Sequence, residues 1–262
     1  MSKIQYETDA DVGIISLNDA PLNVFGEQHW DEMIAAVGKA AAAGHRALLI
    51  RAEGPNFSGG ADVRMFHQRG AEEGKAILGR YLTISHTLEN LPFPVIAAVQ
   101  GLCLASGLEL ALACDLILAG ESARFSQSEA VIGATTFLGG TQRLARRCGD
   151  ARAREIVYTA DVFNAATFER WNIINRIIPD DALDREALAL TKRLAAGPTR
   201  AHAVTKHLVR TFNAKGLEAA DKELLTEAVK LWESRDMRAT VEQVLNVDRG
   251  KIRSMAISFS GC

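Results

Sequence analysis

Val95-Ile-Ala-Ala-Val-Gln-Gly-Leu-Cys-Leu-Ala-Ser-Gly-Leu-Glu109-Leu-Ala-Leu-Ala-Cys-Asp115-Leu-Ile-Leu-Ala-Gly120 is the most apolar stretch of the 262-residue chain, and only Glu109 and Asp115 are charged within it. The stretch has the length of a membrane span, but two carboxylates and the glycines at 101 and 107 interrupt it. A buried strand, a turn, a short helix from about Ser106 and a second strand is the reading that fits. No Lys or Arg adjoins Glu109 in sequence. An ionised carboxylate buried without a partner costs several kcal/mol, so Glu109 calls for a shifted pKa, a partner or a catalytic task. A structural carboxylate paired with a distant cation or a helix N-terminus is the competing reading.

Working outward, Gly13–Leu17, Ala47–Arg51, Val95–Val99 and Leu116–Ala119 read as strands. Gln28–Ala43 reads as a helix closed by Gly44. A second helix, marked by Ile77, Tyr81, Ile84, Leu88 and Leu91, stops at Pro92 and Pro94. Strands alternating with helices predict an α/β fold with largely parallel pairing. After Thr141 only helical patterns follow, ending in one long amphipathic run from Leu217 to about Asn246. Gly149 and Asn172 suit left-handed positions after helices, and Asp150, Asn164 and Thr199 suit N-caps. Ala-Ala-Gly-Pro-Thr near residue 195 marks a boundary, which divides the chain into 1–195 and a helical region 196–262.

A net charge of −2, with Arg and Lys scattered, leaves no electrostatic footprint for nucleic acid. Arg249, Lys251 and Arg253 give no distinctive phosphate-binding signature, and Cys262 has no readable role. Residues 1–11 carry acids and no apolar signal core, so a cytoplasmic protein is expected, with no membrane partner. The four cysteines show no Cys-x-x-Cys spacing, and His202 and His207 do not share a helix face. Neither disulfides nor a metal site are expected.

Two loop-to-helix junctions carry the candidate chemistry. Phe57-Ser-Gly-Gly-Ala-Asp62 follows a strand, and its glycines let backbone N–H groups face a ligand. Gln100 to Glu109 opens a short helix whose first turn offers unpaired donors. Together they suit an oxyanion hole. Leu104-Ala-Ser-Gly-Leu108 lacks the first glycine of a serine-hydrolase elbow. No Gly-x-Gly-x-x-Gly follows a strand, and no Gly-Lys-Ser or Gly-Lys-Thr ends a phosphate loop.

These residues resemble the crotonase superfamily, specifically the enoyl-CoA hydratases and isomerases, over nearly the whole chain. Phe57–Asp62 is similar to that family's first loop, and Gly101–Asp115 to its second loop and helix. Phe125-Ser-Gln-Ser-Glu129 with Gly139-Gly-Thr-Gln-Arg-Leu144 resembles the third signature, and Trp171–Pro179 a later helix-to-strand junction. The resemblance implies a crotonase-like spiral of ββα turns with a helical C-terminal region, packed as a homotrimer or dimer of trimers. It implies an acyl-CoA thioester as substrate, with coenzyme A as part of that substrate and no prosthetic group. By the same resemblance the N–H groups of Gly59 and Ser106 hold the thioester oxygen, and Ala61 and Asp62 lie beside CoA, Asp62 equally suiting a helix N-cap. Glu129 would exchange the α-proton and Glu109 would activate water, the pair favouring hydration over isomerisation. Two other outcomes stand beside hydration: double-bond isomerisation or other crotonase-type enolate chemistry on a specialised acyl group, and a non-catalytic CoA-thioester binder. Phe137 replaces a small residue of the family pattern, which places a bulky ring beside the acyl pocket or, equally, in the core.

Overall fold

The computed structural model describes residues 2–247 and 257–261. Arg249, Lys251, Arg253 and Cys262 lie outside the described residues. In chain order the elements are β1 (Ile4–Asp9), β2 (Val12–Leu17), α1 (Glu27–Ala42), β3 (Ala47–Ala52), α2 (Ala71–Asn90), β4 (Val95–Val99), β5 (Leu102–Leu104) and α3 (Ser106–Leu112). They continue with β6 (Leu116–Gly120), β7 (Arg124–Ser126), α4 (Gly140–Thr159), β8 (Phe163–Asn164), α5 (Ala165–Arg170) and β9 (Arg176–Ile178). Helices α6 (Leu183–Ala195), α7 (Thr199–Lys215), α8 (Leu217–Glu227) and α9 (Arg235–Leu245) complete the described chain.

One sheet has the order β1-β2-β3-β4-β6-β9, and a smaller one has the order β5-β7-β8. The β1–β2 pair is antiparallel, while every other pairing in the large sheet is parallel. Parallel strands are covered on both faces, which explains why β3, β4 and β6 read as unbroken apolar runs. Alternation along β4 then sorts side chains between two cores. Val95, Ala97 and Val99 enter the main core with Leu48, Ile50, Phe57 and Phe125. Ile96 and Ala98 face the other way, into a second cluster closed by Leu183, Ala187 and Leu190 of α6. The α/β expectation stands, with strands and helices alternating along the chain up to β9.

Several expectations need correction. Strands do occur after Thr141: β9 pairs parallel with β6 through Leu118↔Arg176, and β8 pairs with β7. The run from Leu217 is not one helix, because a 3-10 turn over Ala228–Glu233 precedes α9, whose first turn is capped by Ser234 accepting from the Met237 N–H (3.2 Å). Thr199 is the first residue of α7, with Pro198 in the cap position. Its hydroxyl accepts from Arg46 Nε instead (2.8 Å). Gly149 and Asn172 do adopt positive φ, +79° and +60°, and Asn164 does cap α5 by accepting from the Thr167 N–H.

The close approach of two loops positions the site. Gly101 sits at φ +53°, and a Cβ there would fall 2.1 Å from the Pro55 carbonyl oxygen, so only glycine lets the 52–60 loop lie against β5. Once adjacent, the loops pair as strands do: the N–H of Phe57 donates to the Gln100 carbonyl (2.8 Å) and that of Ser58 to Leu102 (2.9 Å). In return the Leu104 N–H donates to the Ser58 carbonyl (2.9 Å). Both glycine-rich junctions thereby reach one wall.

Candidate active site

A cavity of about 280 Å³ opens where these loops meet helix α2 and the segment after β7. Gly59, Ala61, Ser106, Glu109, Glu129 and Phe137 all line it, whereas Asp62 does not. The rest of the wall is mostly apolar, with Met65, Ile77, Leu78, Val131 and Ile132 among its residues. Sequence reasoning thus converged on one place from four separate segments.

Glu109 is 1% exposed, projecting from a helix that is buried along its whole length. Its Oε1 accepts from the backbone N–H of Leu138 (2.7 Å) and of Gly140 (2.8 Å), the second being the first residue of α4. Burial, and then the charge of Glu129, raise its pKa from the ordinary 4.5 to about 7, against the two N–H donors and Arg143. Glu129, 8% exposed, is also raised by burial. Asp115 behaves differently. Its Oδ2 accepts from the Val95 N–H (2.8 Å) and pairs with Lys206 Nζ (2.7 Å), which makes it the structural carboxylate of the stretch. Burial raises its pKa, with Lys206 opposing.

The oxyanion assignment of Gly59 is corrected by its own hydrogen bond. The Gly59 N–H already donates to the Leu22 carbonyl at 2.7 Å and has no second hydrogen to offer. Two residues on, Ala61 forms a parallel bridge with Phe25, made by Gly60 and Asp62, that turns its own N–H to the opposite side. That N–H makes no bond among the described residues, and Ala61 lines the cavity. The N–H of Ser106 is likewise unspent. It follows Ala105, held at φ +46° and ψ −121°, a conformation costly for a residue with a Cβ and one found at functional turns. The Ser106 hydroxyl is buried without a partner as well.

Asp62 caps the short turn Val63–Phe66 by accepting from the Arg64 N–H (3.0 Å), and its side chain pairs with the Arg64 guanidinium, which lowers its pKa. The N-cap reading therefore describes its contacts. Phe137 is half-buried and packs against Phe66, ring centroids 5.5 Å apart, so it belongs to the cavity wall and not to the core.

Gln127 went unassigned in the sequence although it lies two residues before Glu129. It is fully buried, and with its amide nitrogen turned toward Glu129 it donates to Oε2 (3.0 Å) and Oε1 (3.1 Å). A polar residue spaced by two from a candidate acid at the end of a strand was the available signal. Thr136 was also missed: its hydroxyl accepts from the Thr141 N–H (2.9 Å) and staples the loop that carries Leu138 and Gly140. Among the described residues no three His, Cys, Asp or Glu side chains converge as metal ligands, and no helix is long and apolar enough to cross a membrane.

Two buried carboxyl groups that line one largely apolar cavity together with unspent N–H donors make a candidate site for acid–base chemistry beside a developing oxyanion. A model of the family described as "Enoyl-CoA hydratase/isomerase" matches residues 7–243, and the chain belongs to that family of crotonase-fold enzymes. Among its relatives is a "Probable enoyl-CoA hydratase" of Rhizobium meliloti (strain 1021), 32% identical over 207 residues, 78% of this chain and 79% of that one. The "Crotonyl-CoA hydratase" of Syntrophomonas wolfei is 35% identical over 148 residues, 56% of this chain and 57% of its own. A solved structure described as an enoyl-CoA hydratase subunit, from Geobacillus kaustophilus HTA426, superposes with a TM-score of 0.89 at 28% identity. It covers 99% of this chain and 98% of its own.

Proposed function

We propose that this enzyme adds water across the double bond of a trans-2-enoyl-CoA, with syn stereochemistry, to give a 3-hydroxyacyl-CoA. The observation that carries the reading is the placement of Glu109 and Glu129 in one cavity wall with the unspent N–H groups of Ala61 and Ser106. Attack at the β-carbon pushes negative charge onto the thioester oxygen, where each fixed donor contributes roughly 3–4 kcal/mol. Glu109 has one carboxylate oxygen saturated by two backbone donors, which leaves Oε2 to hold and deprotonate water. Glu129, oriented by Gln127, delivers the α-proton. The apolar wall at Met65, Ile77 and Leu78 receives the acyl chain. No prosthetic group is needed, since the thioester itself accepts the electron pair.

Reaction in ¹⁸O-labelled, deuterated water tests this assignment. Hydration places ¹⁸O on the β-carbon and deuterium on the α-carbon, whereas double-bond isomerisation yields a shifted alkene without ¹⁸O. Only the second result would overturn the proposal while keeping the family.

We further assign residues 1–195 to the site-bearing unit and 196–262 to a helical region that assembles trimers. Exposed Phe212 on α7, Leu225 on α8, Trp232 on the Ala228–Glu233 turn and Leu245 on α9 support this, because isolated helices seldom present so many large apolar side chains to water. Light scattering at micromolar concentration should give three or six chains per particle, and a monomer would contradict the assignment.

A further inference from the structure

Residues 138–140 run between two oppositely charged groups. On the cavity side the N–H groups of Leu138 and Gly140 hold Glu109 Oε1. On the other side Arg143 Nη1 donates to the carbonyls of Leu138 (2.9 Å) and Gly139 (3.2 Å). The Gly139 carbonyl and the Gly140 N–H belong to the same peptide unit. A donor on the carbonyl polarises the N–H, and such chains strengthen each bond by perhaps 10–30%. Arg143 is itself 6% exposed and held in a two-point grip, Nε to Glu89 Oε1 at 3.0 Å and Nη2 to Glu89 Oε2 at 2.7 Å.

The threading is tight. A Cβ on Gly139 would fall 2.1 Å from Arg143 Nη1, and one on Gly140 would fall 2.9 Å from Glu109 Cγ. The segment fits between guanidinium and carboxylate only as glycine. Neither Glu89 nor Arg143 lines the catalytic cavity; both line a separate cavity, with Arg146 and Lys206.

We propose that the Glu89–Arg143 pair is a positioning device for the reaction: it pins the 138–140 segment so that Glu109 Oε1 stays saturated and Oε2 alone faces the reacting water. The inference rests on the reading of Glu109 as the carboxylate that handles water. Arg143 touches no substrate and acts through the peptide between it and Glu109. The charged groups that bear on Glu109 are Glu129 and Arg143, and those that bear on Glu89 are Arg143, Arg146 at 3.5 Å, and Arg147.

The test compares Glu89→Gln and Arg143→Lys with the wild-type chain in two measurements. Crotonyl-CoA hydration is followed against pH, and the Glu109 carboxyl is titrated by infrared difference against Glu109→Gln in the same background. Loosening the segment weakens the donors that favour ionised Glu109, so its titration moves to higher pH. For hydration, kcat falls about 10-fold with KM within about 2-fold, and the acidic limb of the kcat profile moves up by about one pH unit. Glu89→Gln keeps the guanidinium and removes its charge-paired grip, so it reads the effect where Arg143→Lys does not fold. Unchanged titration and unchanged kcat alongside a lowered melting temperature would overturn the proposal, leaving an ion pair that only stabilises the fold. A wild-type chain that hydrates nothing would sink the hydratase reading instead, and the infrared titration would still decide whether the pair acts on Glu109.

Discussion

Asp115 Oδ2 lies 2.7 Å from Lys206 Nζ, a contact that joins residues 91 positions apart and ties α7 to the base of β4. Six residues before it, Glu109 has no cation in contact among the described residues and takes its hydrogen bonds there from backbone alone. Two acids of one apolar stretch thus divide, by the partners the fold supplies, into a structural group and the one we assign to the chemistry. Lys206 also donates to the carbonyls of Leu88 and Phe93, so its ammonium organises three chain segments.

Removing that ammonium should cost stability without touching chemistry. Lys206→Met should lower the free energy of unfolding by about 2 kcal/mol, because Asp115 keeps its charge in a half-buried place. Asp115→Asn in the same background should recover part of the loss. Urea unfolding of the two single variants and the double variant checks this.

Glu109 should make stability pH-dependent in a definite direction. Its folded pKa of about 7 lies above the ordinary 4.5, so the folded chain binds more protons than the unfolded one between those values. Stability contributed by the protonated form is therefore complete below about pH 4.5 and declines as pH rises to about 7, by about 3 kcal/mol in total. Glu109→Gln removes this decline. The variant should gain on the wild type between pH 5 and pH 8 in denaturant titrations; a constant difference would mean that the raised pKa is wrong.

Gly140→Ala should disable the site while leaving the fold. The added methyl would meet the Gln127 side-chain amide at 2.6 Å and Glu109 Cγ at 2.9 Å, displacing both Glu109 and the residue that orients Glu129. A fall in kcat of about 100-fold, with circular dichroism unchanged, is expected.

Phe137→Ala should lengthen the acceptable acyl chain. The Phe66–Phe137 pair separates the catalytic cavity from a neighbouring groove along α2, and both spaces share Met65, Ile77 and Leu78. Deleting the ring joins them, so kcat/KM for ten-carbon over four-carbon enoyl thioesters should rise about 10-fold. An unchanged ratio would show that the chain takes another route.

Much of this architecture was legible because the central strands are buried on both faces and therefore write continuous apolar runs. β1 was not legible, since only Ile4 of Ile4–Asp9 is buried and the strand carries Glu7 and Asp9. β9 is three residues long and has Arg176 at its start; pattern alone placed no strand there, although the Trp171–Pro179 resemblance marked a junction. The site shows the same limit more sharply. Glu109 stood out as a charge among apolar neighbours, but its partners are backbone N–H groups 29 and 31 residues away, which have no side-chain signature. Phe57–Asp62 points to Gly59 and not Ala61 as the donor, because nothing in that loop reveals that Leu22 takes the Gly59 hydrogen.

The most direct measurement of the central claim is the loss of conjugated enoyl-thioester absorbance when the protein meets crotonyl-CoA and longer or branched enoyl-CoAs, with Glu109→Gln and Glu129→Gln alongside. Turnover of at least one thioester by the wild type and a fall of about 100-fold or more in each variant are expected. Wild-type rates in both variants would contradict a mechanism that needs two carboxyl groups.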